Sequence, residues 1–399
     1  MSLTPEQIAK IRQKEAELAD DLKRNPLNDY TEGWFHVTLN TRGEAPVLGY
    51  LTGDPEAEDG SENAPRCVLT ELGRKVEESW NRNPSVYPGV ENIAFQVMPE
   101  HVHGLIHLKA ENKKHLGEII KGFMIGCTHG YWDILGIPWR DMTYEKGVRT
   151  PQYNDRDHTR SYRGPALMVH GYNDVEAVTE EEIEIKCQYI RNNPRKRLIT
   201  RSKPDRFRVM RNGRSKSWTL ARVMAVIAAD PWIGRDPVKC RLLQTNVSQR
   251  LKRHPDEADA LALDYVGNRA LLLAEHKVSL ICHRADAALF ETQKAAVMQA
   301  ARSGAVVVSA FISPKERDIM KELMLEQLPF IELMDNGFND RYKPGGKAFY
   351  STAENRHMQM TCWTYVYHND PLPSISREMC LTMNELVRII TGVNDNWWK

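Results

Sequence analysis

Two segments, Val278–Cys282 and Ala305–Ser309, are nearly unbroken apolar runs, and each is followed by a helical stretch, Ala287–Ser303 and Pro314–Gln327. A strand with one wet face alternates polar and apolar residues, whereas a strand covered on both faces does not. With a third run at Pro329–Leu333 and a fourth at Met358–Trp363, the pattern predicts a parallel sheet with helices on both faces. The first half of the chain reads differently. Trp34–Asn40 alternates as a half-buried strand, and Thr70–Asn81 carries Leu72, Val76 and Trp80 at helical spacing. Ile93–Val97 and Gly104–Leu108 read as strands and Lys114–Leu135 as mostly helix. Glu180–Asn193 is a helix opened by a run of acids, which suits its positive end, and it stops before Pro194. Thr4–Arg24 reads as an amphipathic helix with a capping pattern at Thr4, Pro5 and Gln7.

Two patterns in 399 residues predict two domains. Arg191–Lys216 holds eleven Lys or Arg residues and one acid, Asp205. This segment reads as the end of the first domain and a basic linker, which gives domains over 1–220 and 221–399. The net charge of the whole chain is only +1, so any nucleic-acid surface must be local. Seven scattered cysteines with no C-x-x-C pair argue against a zinc ribbon or a disulfide framework and suggest a reducing compartment. The polar N-terminus and the absence of an apolar run of about 20 residues predict a cytoplasmic protein with no membrane partner.

Between the strands at 93–97 and 104–108 lies Met98-Pro99-Glu100-His101-Val102-His103. If His103 begins the strand, His101 and His103 point to one face, where two imidazoles can hold a divalent ion with a third ligand from elsewhere. His107 would share that face about 13 Å away, too far to be that ligand. A His-x-His pair also arises by chance in a chain with thirteen histidines. Tyr189 lies in Tyr-Ile-Arg-Asn-Asn-Pro, with Asn193 four residues on and Arg191, Arg195, Lys196, Arg197 and Arg201 around or beyond it. A tyrosine that attacks a phosphodiester needs a metal on the phosphate and basic residues on the backbone. Tyr189 packed against a sheet beside a solvated basic surface is the alternative.

The succession of strand, helix, strand, Met-Pro-x-His-Val-His, helix and then Tyr-Ile-x-x-Asn-Pro resembles the REP-associated branch of the single-tyrosine transposases, within the HUH endonucleases. The likeness covers roughly residues 34 to 200. It implies a ferredoxin-like or RRM-like antiparallel sheet with helices. It implies Mg²⁺ or Mn²⁺ on His101 and His103, with Asn193 as a candidate third ligand. It further implies Tyr189 as the nucleophile that forms a 5′-phosphotyrosine link with single-stranded or hairpin DNA. Tyr172, in Gly171-Tyr172-Asn173-Asp174, is a rival nucleophile. The second half resembles the Rossmann-like domain of the DNA-processing protein A (Smf) group, which bind single-stranded DNA or nucleotide phosphates. That likeness, with the rule that open α/β sheets bind at strand ends, points to an anion site at Arg284, Ser309, Ser313 and Lys315, beside His283. Three functions remain open at this point: a metal-dependent enzyme that nicks and rejoins single strands, a non-catalytic DNA-binding descendant, and a nucleotide- or phosphate-binding α/β protein. A homodimer is also left open.

Overall fold

A computed structural model of the chain describes residues 29–137, 160–161, 164–366 and 375–399. The helix expected over 4–24 lies outside them, as does most of the irregular stretch expected after Trp132. The chain divides into two compact units, Met1–Ile199 and Thr200–Lys399. None of the seven cysteines is in a disulfide. Among the described residues no helix is long and apolar enough to cross a membrane.

In the first unit, β1 (Gly33–Asn40), β4 (Val90–Val97), β5 (His101–Leu108) and β8 (Asn173–Ala177) form a four-stranded sheet in the order β4-β5-β1-β8. Every neighbouring pair is antiparallel. Two short ribbons, β2 (Gly49–Thr52) with β3 (Arg66–Leu69) and β6 (Arg160–Ser161) with β7 (Gly164–Pro165), lie off this sheet. Helix α1 (Glu71–Asn81) connects towards β4 and α2 (Leu116–Ile134) towards β8. This is the split β-α-β-β-α-β arrangement expected for the first half. Strand alternation sends Phe35, Val37 and Leu39 of β1 and Val102 and Ile106 of β5 into one core with Val76 and Trp80 of α1 and Ile119 and Phe123 of α2. The opposite face of the sheet carries α3 (Glu180–Arg191), whose Cys187 and Ile190 pack on Leu105. Thr179 and Glu182 start α3 with a reciprocal capping box. Helix α4 (Asn193–Ser202) follows directly.

In the second unit, β12 (Lys277–Ser279), β13 (Val306–Ser309), β14 (Phe330–Met334) and β15 (His357–Thr361) are parallel neighbours. The expected strands are all present, and helices cover both faces of the sheet. Helices α7 (Phe290–Arg302) and α8 (Pro314–Leu325) place Val297 and Ile319 on one side with Val307 and Phe330. Helix α10 (Arg377–Thr391) places Met383 and Val387 on the other side with Val308 and Ile331. A short helix, α9 (Ala348–Ala353), precedes β15.

Two expectations need correction. The parallel strands run in sequence order without the reversal that opens a ligand crevice in a Rossmann sheet. Instead β15 is flanked by the antiparallel β11 (Glu257–Gly267), to which β9 (Met210–Thr219) and β10 (Arg253–His254) also pair. The second unit therefore begins at Thr200, not at 221. The tail of the supposed linker is β9, an edge strand. Edge strands carry charge on their exposed side, and a charged edge resembles a linker in sequence.

The β4-β5 pair depends on a glycine. A Cβ at Gly104 would stand 2.3 Å from Cη2 of Trp80, a ring already stacked on Phe95 and edge-on to Phe123. The ring has nowhere to shift. Gly104→Ala is expected to lower the stability of the first unit by about 1–3 kcal/mol through overpacking. Urea unfolding of wild type and variant measures this, and equal midpoints would contradict it.

Candidate functional site

The register of β1 on β5 pairs Thr38 with His103 and Asn40 with His101. Alternation then puts His36, Thr38, His101 and His103 on the face that carries α3. Thr38 Oγ1 is 2.9 Å and His36 Nε2 is 3.2 Å from Nδ1 of His103. The other nitrogen of His103, Nε2, is 3.1 Å from Nε2 of His101. Nδ1 of His101 faces the Glu100 carboxylate at 3.4 Å, and Arg197 Nη2 donates to the same carboxylate oxygen at 2.9 Å. A carboxylate only accepts, so the His101 proton belongs on Nδ1 and its Nε2 lone pair points at His103.

Tyr189 closes this group from α3. Its ring stands edge-on to His36 and His103, with centroids 5.5 Å and 5.4 Å away. It is 40% exposed. Lys196 Nζ lies 5.3 Å from the centre of the ring. The rival, Tyr172, is buried in the apolar core on the far face of the sheet. Among the described residues, only Tyr189 of the two tyrosines is in ring contact with the histidines.

Burial shapes the electrostatics. It takes the His36 pKa down to about 4, and the Lys186 ammonium adds to the effect. His103 falls to about 2, from burial first and then from His101 and His36. His101 is also lowered, by burial, against the pull of Glu100. All three are neutral at pH 7, the form that coordinates a metal. Burial likewise lowers the pKa of Lys186 and of Lys196.

Several residues expected at the site have other partners. Arg195 donates to Asp59 at 2.6 Å and to the Pro55 carbonyl, and Arg197 holds Glu100. Both are ion-paired within the protein. The Asn193 amide donates to the Tyr189 carbonyl at 3.2 Å, a bond from the start of α4 back to the end of α3. Arg191 and Arg201 are exposed. His107 stacks on Trp34 and contacts Glu91, away from the histidine group. Among the described residues no group of three or more His, Cys, Asp or Glu side chains is arranged to hold a metal. Sequence reasoning missed His36, Thr38 and Glu100. The readable signal was the polar alternation His36–Thr38 in β1, which needs the β1–β5 register before it means anything.

In the second unit three of the residues expected to bind an anion, Ser309, Ser313 and Lys315, are bonded within the fold. Ser309 is fully buried and accepts from the Phe311 N–H. Ser313 caps α8, and Lys315 donates to the Ala287 carbonyl. The Glu316 carboxyl group takes the N–H groups of Cys282 and Ser313, the place where an anion was expected. Arg284 is exposed, and His283 pairs with Asp395 at 2.7 Å.

No family model matches the chain. It is similar to an uncharacterized protein of Haemophilus influenzae Rd, 22% identical over 147 residues, or 31% of this chain and 74% of that one. Among solved structures it is similar to a REP-associated tyrosine transposase bound to a REP hairpin. That match has 14% identity and a TM-score of 0.27, and covers 44% of this chain and 74% of the other. It is also similar to a Deinococcus radiodurans R1 protein provisionally described as a transposase. There the identity is 16% and the TM-score 0.21, covering 43% of this chain and 96% of the other.

The depressed histidines make the first unit sensitive to acid. Unfolded histidine binds a proton near pH 6.5 or so, while folded His36 resists until about 4. Between these values the unfolded state holds more protons, so stability falls as pH falls. Each of His36 and His103 is expected to contribute a loss of about 1 kcal/mol per pH unit below about pH 6.5. Unfolding in chelator from about pH 7 to about pH 5 measures it. His36→Asn should flatten the slope, and an unchanged slope would exclude this origin.

Proposed function

We propose that the first unit is an HUH-type domain that cleaves and rejoins single-stranded DNA, with Tyr189 as nucleophile and Mg²⁺ or Mn²⁺ on His101 and His103. One observation carries the reading: Nε2 of His101 and Nε2 of His103 face each other at 3.1 Å beneath the exposed Tyr189 ring. At that spacing His101 and His103 would together hold one divalent ion. With its proton on Nδ1 towards Thr38 or His36, His103 turns its other lone pair to the same point as that of His101. Two lone pairs converging in a largely dry site call for a cation between them. Partners on the far nitrogens are the usual means of orienting metal-binding imidazoles. Water or phosphate oxygens would complete the shell.

When bound, the ion would draw charge from the scissile phosphate. The chain does the rest. Glu100, held by Arg197, fixes the proton and orientation of His101, and Thr38 and His36 do so for His103. The Tyr189 hydroxyl oxygen bonds to phosphorus as its proton passes to water, the bond to the 3′ oxygen breaks, and that oxygen takes a proton from water. The strand leaves as a 3′ hydroxyl, with its 5′ phosphate on Tyr189. Attack by a 3′ hydroxyl reverses the step, so rejoining needs no nucleotide cofactor. Lys186 and Lys196 flank the tyrosine and would meet the phosphate backbone. Among the described residues no third His, Cys, Asp or Glu completes the set, which leaves a second reading, a DNA-binding descendant that does not cut.

Incubation with single-stranded and hairpin DNA pools and Mn²⁺, followed by a denaturing gel, separates the two. Wild type is expected to form a covalent adduct, Tyr189→Phe to lose it while still binding DNA, and Tyr172→Phe to keep it. Binding without an adduct on any pool leaves the second reading. Glu100→Gln is expected to weaken Mn²⁺ binding roughly 10–100-fold, measured by titration of the free-ion resonance signal. Affinity equal to wild type would remove Glu100 from the site.

A further inference from the structure

The start of the second unit has a connectivity that the parallel sheet does not require. Strand β9 leads into helix α5 (Leu220–Ala229), a connector at Asp230–Asp236, helix α6 (Pro237–Arg250), and then the hairpin β10–β11. Strand β11 pairs with β10 at residues 257 and 261, and with β9 between 260 and 265. Two helices followed by a hairpin, whose second strand returns beside the strand that precedes the helices, have the element order of a winged helix-turn-helix.

The unit is rigidly built from behind. Cys240 and Val247 of α6 pack in one core with Val223 and Ile227 of α5 and Trp218 of β9. Gln244 donates to the Met224 carbonyl at 2.8 Å and ties the helices together. The connector is pinned at both ends. The buried Asp230 accepts from the N–H groups of Trp232 and Ile233, both at 3.1 Å, and from Arg377 at 2.7 Å. Asp236 caps α6 through the N–H groups of Val238 and Lys239.

The outer face of α6 is exposed along Val238, Arg241, Leu242, Thr245 and Gln249, with Asn246 beside it. Their spacing of three and four residues makes a single stripe. The helix contains no acid, Arg235 and Arg241 are exposed at its start, Asp236 is used as its cap, and the acids at the hairpin turn lie off this helix, with Glu257 paired to Arg214. Among the described residues Arg241 and Thr245 bond to backbone carbonyls of their own helix. The geometry points to α6 as a recognition helix that enters the major groove of duplex DNA. Gln249 and Asn246 present amides for base edges, Thr245, Leu242 and Val238 present apolar groups for thymine methyls, and Arg235 and Arg241 face phosphates. The acid-free, basic helix suits an anionic partner, and among the described residues the stripe on α6 itself carries no aromatic side chain, which argues against single strands. This contact is separate from the Tyr189 site and does not rest on the reading given for it.

The test uses the full chain and a fluorescent 30-base-pair duplex of random sequence. Wild type is expected to bind it. Arg235→Glu with Arg241→Glu should weaken binding at least about tenfold and lower the salt slope by about 0.9 for each lost phosphate contact. Asn246→Ala with Gln249→Ala should leave the salt slope unchanged but relax the sequence preference found by selection from a random duplex pool. Tyr189→Phe should leave duplex binding intact, which keeps this outcome independent of the cleavage assay. Thermal melts check that each variant folds, and the alanine pair serves if the charge reversal does not. Duplex affinity and selected sequence unchanged in both pairs, or no duplex binding by wild type, would overturn the proposal.

Discussion

The antiparallel pairing of β1 with β5 is the constraint on which the site depends. Because side chains alternate along a strand, the register that sets Thr38 against His103 sends His36, Thr38, His101 and His103 to one face and Phe35, Val37, Val102 and Ile106 to the other. A slip of one residue would bury the imidazoles in the apolar core and expose the core to α3, so the hydrophobic face and the polar site enforce the same register. Gly104 contributes here as well, since the Trp80 ring lies where its side chain would be. The indole thus helps to hold the strand segment next to His103.

The same packing sets the electrostatics. Helix α3 covers the histidine face through Cys187 and Ile190 on Leu105 and leaves Tyr189 at its exposed rim. Desolvation keeps the imidazoles neutral, and their far nitrogens find Thr38, His36 and Glu100. Glu100 in turn is held by Arg197. The basic run after Tyr189 is therefore not one surface. Part of it is spent on internal carboxylates and part is a strand edge, while the lysines nearest the tyrosine are half-buried.

In the second unit the parallel strands are buried on both sides, and their sequence order gives no crevice at a reversal. The buried carboxyl group of Glu316 occupies the N–H groups at the start of α8, and burial holds it above the usual carboxyl range. Exposed polar groups lie on α6, a helix tied to its neighbours by Gln244 and by the Asp230–Arg377 pair in the connector before it.

The sequence by itself indicated an α+β first half and parallel strands between helices in the second, but not the antiparallel strands that extend that second sheet. Continuous apolar runs identified the parallel strands, alternation and helical spacing identified the α+β half, and the Met-Pro-x-His-Val-His and Tyr-Ile-x-x-Asn-Pro segments marked His101, His103 and Tyr189. These are local signals, carried by residues within a few positions of one another. Only the tertiary structure decided what depends on pairing across the chain. It brought His36 and Thr38 to His103 from a strand 65 or more residues away in sequence, separated Tyr189 from the buried Tyr172, and drew Arg195 and Arg197 to Asp59 and Glu100. It also turned a basic stretch into β9 by giving it β11 as a partner. Spacing along one strand can show which side chains share a face, but not which strand lies beside it or which charge a long arginine will meet.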